Sequence, residues 1–297
     1  MKGLELAEQY YETYGKPMLE SRFPEVMEQA ATGLVGQGSE CFGFDDAIST
    51  DHDFGPSFCI WLPWEIYSRY GEAMTQAYRE LPGEFLGFSG RKEQAQGAGR
   101  VGVLCLEEFY RGLLGRDTPP ATVAEWLAIP EEALATATNG KVFADPLGRF
   151  SKMRSALLSY YPDEVWLRHI ANCLAKAAQA GQYNYTRALQ RGERITAELS
   201  LGIFLQEIMH LVYLFNRQYA PYYKWMHRGI KDLPCCSEIA DMMDLFYQVP
   251  NPEERVLIIE AICNIMVQEL NSRGLSSGED NFLQSHVGEV LGHIEET

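Results

Sequence analysis

No two of the seven cysteines stand in CxxC spacing, and lysine and arginine are scarce, 25 against 41 aspartates and glutamates. The first lack removes the usual zinc-ribbon and dithiol redox patterns. The thiols at 41, 59, 105, 173, 235, 236 and 263 are odd in number and scattered, so no disulfide framework is expected. Reduced thiols and a cytoplasmic location follow as expectations. The second lack leaves a formal net charge of −16, so most of the surface repels a phosphate polymer and nucleic acid is not an expected partner. A small anionic ligand is still allowed where a metal and a few basic groups overcome that field. Low-complexity tracts and repeat periods are also missing. The N-terminal stretch MKGLELAEQYYETYGK has no apolar run of signal-peptide type, and the longest apolar run, near LVYLF, is broken by His210 and Asn216. Neither export nor a membrane span is expected.

What is present is ordinary globular material, 46% hydrophobic and 22% charged over 297 residues, enough for two domains with real cores. Apolar spacing predicts helix over residues 3–32, ended by Gly33, with a second segment starting at Pro24. A buried strand is expected over 58–62, a helix over 65–81, a strand over 101–106 and a short helix over 109–114. From Asp163, placed as a helix cap, almost everything has 3.6-residue periodicity, including a long helix over 185–217 and others over 253–270 and 281–294. The fold class is therefore α+β. A domain with a small mixed sheet is expected over residues 1–155, followed by an α-helical bundle over 156–297, with turn residues 145–148 and 160–162 near the boundary.

Residues 38–56, GSECFGFDDAISTDHDFGP, pack four aspartates and a histidine among glycines just before the apolar run SFCIWL. Crowded carboxylates repel unless a cation lies between them. If Asp51-His52-Asp53 enters a strand, Asp51 and Asp53 project to one face and His52 to the other. Two carboxylates at that spacing suit one or two hard divalent ions such as Mg2+, which keep places for phosphate oxygens. Gly38 and Ser39 offer a close-approaching backbone and a hydroxyl to a phosphate. A solvated turn or a calcium loop would use the same residue types.

The segment resembles the GS…DxD signature of the nucleotidyltransferase superfamily with the DNA-polymerase-beta-like fold. It is similar to an uncharacterised bacterial branch related to the aminoglycoside adenylyltransferases, which also has the YAPYYKW element found here at residues 219–225. The resemblance implies that residues 1–155 form a polymerase-beta-like nucleotidyltransferase domain, with Gly38 and Ser39 holding the β and γ phosphates of a nucleoside triphosphate and Asp51 and Asp53 binding Mg2+. Superfamily members add a third carboxylate from a later strand. In RVGVLCLEE, Gly102 stands where that acid would be expected, and Glu107 and Glu108 close the strand. Either one of them reaches back, or the base comes from the helical domain, or the chemistry is impaired.

The helical half offers Arg187, Arg191 and Arg194 at i, i+4 and i+7 as a basic stripe for triphosphate, though surface pairing explains any one of them equally well. Lys224 can neutralise phosphate charge, and Tyr222 and its aromatic neighbours can stack on a base or simply staple two helices. Glu207 and His210 share a face; Glu207 is the candidate base, while His210 and His52 fit structural roles. The expected activity is metal-dependent transfer of a nucleoside monophosphate, AMP from ATP, to a hydroxyl of a small acceptor with release of pyrophosphate. The alternatives are a nucleotide-binding protein that has lost turnover and a protein-modifying nucleotidyltransferase. Apolar C-terminal helices such as VLIIEAICNIMV serve as core or as a homo-oligomer interface.

Overall fold

The computed structural model describes residues 1–49, 54–91 and 99–295. The chain divides into two compact units, Met1–Ala121 with Ala128–Ser159, and Thr122–Leu127 with Tyr160–Thr297.

The first unit is mixed α+β. Helix α1 (Gly3–Tyr10) runs through a π-helical stretch, Tyr11–Gly15, into α2 (Lys16–Arg22), and α3 (Pro24–Met27) follows after Phe23. The expected helix stops there, because residues 31–34 form strand β1 (Ala31–Leu34) instead. Helical spacing misreads this stretch because its four residues are buried on every side. Gly33 also lacks the Cβ that would overlap the Lys141 carbonyl of a neighbouring strand. Next come β2 (Cys59–Leu62), α4 (Trp64–Arg79), a hairpin of β3 (Glu84–Phe85) and β4 (Phe88–Ser89), then β5 (Gly102–Cys105) and α5 (Leu106–Leu114). After α6 (Val123–Leu127), which belongs to the second unit, α7 (Glu131–Thr138), β6 (Lys141–Ala144) and α8 (Arg149–Leu158) complete the first.

The strands order as β5-β2-β1-β6. Strand β1 is antiparallel to β2 and to β6, whereas β2 and β5 are parallel. The run FCIWL is apolar throughout because both faces of the sheet are covered. Alternation sends Phe58, Ile60 and Leu62 into a core with Tyr10, Leu19, Val26 and Met74. Trp61 goes to the other face, where its ring lies 4.2 Å from that of Phe150 and 5.4 Å from that of Phe109. Strand β6 and the hairpin are not visible in the sequence: four residues and two pairs of residues are too short to show a period.

The second unit is helical. Helix α9 (Asp163–Ala177) continues through a π-helical stretch, Ala178–Tyr185, into α10 (Thr186–Gln190). Then come α11 (Arg194–Phe215), α12 (Tyr223–Ile230), α13 (Glu238–Leu245), α14 (Glu254–Ser272), a 3-10 turn and α15 (Val287–Glu295). Asp163 is the first helical residue of α9 rather than its cap. There its charge suits the helix dipole and pairs with Arg217 at 2.9 Å. The expected single helix over 185–217 is split at 191–193, where Gly192 turns the chain with φ 74°. Helix α11 is apolar and long enough to cross a membrane by length and composition alone, with 44% of its apolar window buried. Leu201, Phe204, Ile208 and Leu211 point inward, and Ile195, Leu199 and Ile203 stay exposed.

Candidate functional site

The topology collects the glycine-serine turn at one end of the sheet. Strand β1 ends at Leu34 and antiparallel β2 begins at Cys59, opposite Gly33, so residues 35–58 leave and re-enter the sheet at the same end. The parallel β5 starts there too, with Gly102 opposite Cys59, and so does β6, with Lys141 opposite Leu34. Several side chains hold the loop down. Asn139 brackets Gly36, accepting from its N–H at 2.9 Å and donating to its carbonyl at 2.8 Å. The Gly140 N–H donates to the Cys41 carbonyl at 2.8 Å. The Arg154 guanidinium donates to the carbonyls of Thr138 and Asn139, fixing the turn that carries Asn139.

Gly38 takes φ 140°, a conformation that favours glycine, and Ser39 opens a short 3-10 turn over Glu40–Phe42. The Glu40 carboxylate folds back over Gly38: a Cβ on that glycine would lie 2.5 Å from Oε2 and 2.6 Å from Oε1. Across from it is Arg91, just after the β3/β4 hairpin, whose Nη1 donates to Glu40 Oε1 at 3.2 Å. Both side chains are more than nine-tenths buried, at 8% and 6% exposure. Burial pushes the Glu40 carboxyl up, against the pull of Arg91. The second arm of the guanidinium, Arg91 Nη2, is buried and has no hydrogen-bond partner among the described residues. Around the pair, burial pushes the Cys59 thiol up to about 12 and the Cys41 thiol well above its ordinary value. Neither thiol is a nucleophile near neutral pH.

The other acids of the opening stretch divide. Asp45 is structural: its Oδ2 accepts from Gly3 N–H at 2.9 Å at the start of α1, and Lys2 Nζ lies 3.5 Å from Oδ1. Asp46 makes an Asx turn, accepting from the N–H groups of Ile48 and Ser49. Asp51, Asp53 and His52 lie outside the described residues. The strand that follows them starts at Cys59, and Phe54 to Phe58 form no strand.

Neither glutamate that closes β5 reaches back to the turn. Both fall in the first turn of α5, at the opposite end of β2 and β5, on the order of 10 Å away by strand rise. There Glu107 Oε2 accepts from the Trp64 N–H at 2.9 Å, so it caps α4, and from Cys105 Sγ at 3.3 Å. The two glutamates line a shallow groove of about 400 Å³ with Trp64, Cys105 and Arg111.

The remaining candidates belong to the second unit and do not form one cluster within it. Arg191 ends α10 and is exposed. Because the helix breaks after it, Arg187, Arg191 and Arg194 do not share one helix face; Arg187 instead covers the Tyr183 ring at 3.9 Å. Glu207 is buried midway along α11, roughly 20 Å from the Arg191 turn by helix rise. Its Oε1 lies 3.5 Å from Lys176 Nζ of α9, and Lys176 borders a groove of about 400 Å³ with Gln179, Tyr183, Phe282 and Gln284. Tyr222, Tyr223 and Lys224 are exposed at the start of α12. The two tyrosine rings are 4.4 Å apart, and Lys224 Nζ lies 4.7 Å from the centre of the Trp225 ring.

Sequence reasoning missed Arg91, Glu40 and Asn139. Arg91 sits in the polar run GRKEQAQGAGR, and nothing in that run separates a buried arginine from a solvated one.

A family model described as "Domain of unknown function (DUF4037)" is similar to residues 126–226, a stretch that includes YAPYYKW and ends before residue 227, leaving the glycine-serine turn outside it. No curated protein and no solved structure matches the chain.

Proposed function

We propose that the protein is a nucleotidyltransferase that moves a nucleoside monophosphate, AMP from ATP, to a hydroxyl of a small acceptor and releases pyrophosphate. One observation carries the reading. The Gly38-Ser39 turn, shortly after the central strand, sits beside a nine-tenths buried arginine with one guanidinium arm unpaired among the described residues, at the end of the sheet where β2 begins. An unpaired buried donor is costly, and a phosphate oxygen is an acceptor that suits a guanidinium. Glu40 already lies over Gly38 as an internal anion, and a triphosphate oxygen would take up the free arm. Arg91 supplies the fork geometry that phosphate favours.

Mg2+ enters the proposal through Asp51 and Asp53, the pair that the sequence motif points to. When bound, it neutralises triphosphate charge. Within the first unit, Gly38 and Ser39 are proposed to hold phosphate oxygens. In the transfer, the acceptor oxygen bonds to the α-phosphorus and the bridging bond to the β-phosphate breaks. Pyrophosphate leaves with the electron pair, and the hydroxyl proton goes to a carboxylate. A second reading, nucleotide binding without turnover, is favoured by one feature: β5 carries no acid, and Glu107 is committed at the far end of the strand.

The deciding measurement is release of labelled pyrophosphate from γ-labelled ATP with Mg2+ and a pooled metabolite extract, run beside a thermal-shift titration with ATP. Extract-dependent release that falls to background in Asp51→Asn/Asp53→Asn is the expected result. ATP stabilisation with no release from any extract fraction would establish the second reading. No ATP stabilisation at all would overturn both.

A further inference from the structure

The second unit holds a cluster that takes no part in the nucleotide reading. Between α12 and α13, Cys235 and Cys236 bring their sulfurs to 3.3 Å of each other. A Glu269 carboxylate oxygen on α14 lies within 4.8 Å of both. Consecutive side chains of an extended strand point to opposite sides. These two converge at a place where Cys236 has φ 59°, a left-handed conformation that a residue with a Cβ adopts only when its surroundings impose it.

Asn216, just past the end of α11, holds the preceding residue. Its Oδ1 accepts from the Cys235 N–H at 2.9 Å, and its Nδ2 donates to the Cys235 carbonyl at 2.9 Å and to the Val212 carbonyl at 2.8 Å. The peptide that carries the first thiol is thus pinned on both polar atoms. Arg273, one turn beyond Glu269, donates to Glu269 Oε1 at 2.6 Å and brings Nη2 to 3.7 Å from Cys235 Sγ. The bond to Oε1 orients the carboxylate, while burial pushes both thiols up against the smaller pull of Arg273 on Cys235. The cluster is reachable from the side of Cys235 and Glu269, which are half-buried, while Cys236 lies buried behind them. Two bonds of about 2.3 Å from sulfurs 3.3 Å apart meet at one ion with an angle of about 90°, within reach of small side-chain rotations toward a tetrahedral arrangement.

We propose that Cys235, Cys236 and Glu269 form a binding site for a thiophilic divalent cation of the zinc and cadmium class, held by two thiolates and one carboxylate oxygen, with a fourth position left to water. Each thiol yields its proton to solvent on binding. The site is separate in chemistry from the hard, oxygen-liganded ion of the nucleotide reading, since thiolates select soft cations over Mg2+.

The test uses the full chain, reduced and stripped with a chelator, titrated with Cd2+ while the ultraviolet sulfur-to-cadmium absorption is followed. The expected result is one equivalent bound, displaceable by Zn2+. The band should be absent in Cys235→Ser/Cys236→Ser and unchanged in Cys173→Ser, and binding should weaken at least about tenfold in Glu269→Gln. Circular dichroism checks that each variant is folded. Glu269→Gln keeps both thiols, so it decides the matter if the double variant does not fold. A folded wild type with no stoichiometric band, or a band that persists in the folded double variant, overturns the proposal. Binding by Glu269→Gln as tight as the wild type overturns the three-ligand site.

Discussion

Arg91→Met is expected to lower the stability of the first unit by about 3 kcal/mol, the usual loss when one partner of a buried ion pair is removed. Without the arginine the Glu40 carboxyl, 8% exposed, is left buried with no guanidinium beside it. The paired replacement Glu40→Met/Arg91→Met removes both charges and should return to within about 1 kcal/mol of the wild type, because desolvation offsets most of the attraction between buried charges. The upward displacement of the Glu40 carboxyl is the evidence for that balance: burial outweighs Arg91. Its sign sets a pH dependence. A carboxyl with a raised folded-state pKa contributes stability that is full below its ordinary value of 4.5 and is lost as pH rises through the raised one. That falling component should vanish in Glu40→Gln. Hydrogen exchange of the Ile60 and Trp61 amides reads opening of this unit without requiring a two-state transition of the whole chain. If Arg91→Met is neutral, the pair has no part in holding the turn. If the double methionine variant folds yet loses ATP stabilisation, the arginine is there for the ligand and not for the fold.

Gly140→Ala should be more damaging, with a loss above about 4 kcal/mol and collapse of soluble yield. Gly140 has φ 64°, and a Cβ there would overlap the Leu34 carbonyl, a backbone atom that cannot rotate away. The seam between β1 and β6 would have to open, taking with it the Gly140 to Cys41 bond and the Asn139 bracket on Gly36. Gly148→Ala is the matched control: φ is 67°, nothing lies within 4 Å of the added Cβ, and the cost should be only the left-handed penalty of about 1 kcal/mol. Equal thermal shifts for the two variants would show that backbone conformation, not the close approach of β1 to β6, sets the cost.

The parts of this structure that were legible in the sequence are those where burial has a period. The runs at 58–62 and 65–81 appear as β2 and α4, and the helices of the second unit follow their 3.6-residue spacing. Strand β1 was hidden because all four of its residues are buried, so it continued the apolar pattern of the preceding helix. The break at Gly192 was hidden because helical spacing resumes in phase after it. In the candidate site the sequence pointed to Gly38 and Ser39, but it could not separate the acids. Asp45 and Asp46 belong to the same run as Asp51 and Asp53, and only the contacts to Gly3, Lys2, Ile48 and Ser49 show that the first two serve the loop itself. Arg91 was illegible for the opposite reason: it is a charged residue in a charged loop, and its burial depends on a glutamate about fifty positions earlier.

The sheet order also decides when the first unit can come together on the ribosome. Strand β1 is made near the start, but its partner β6 emerges roughly 100 residues later, about 5 to 20 s at ordinary elongation rates. Through that interval one side of β1 has no strand to pair with and presents bare backbone donors and acceptors to any neighbouring chain. The residues that close the gap arrive only after a short helix, Val123–Leu127, that belongs to the other unit. A chain cut at Ala121 therefore contains the whole glycine-serine turn and most of the sheet, yet its edge is the fully buried β1 in place of the more exposed β6, an apolar edge prone to self-association.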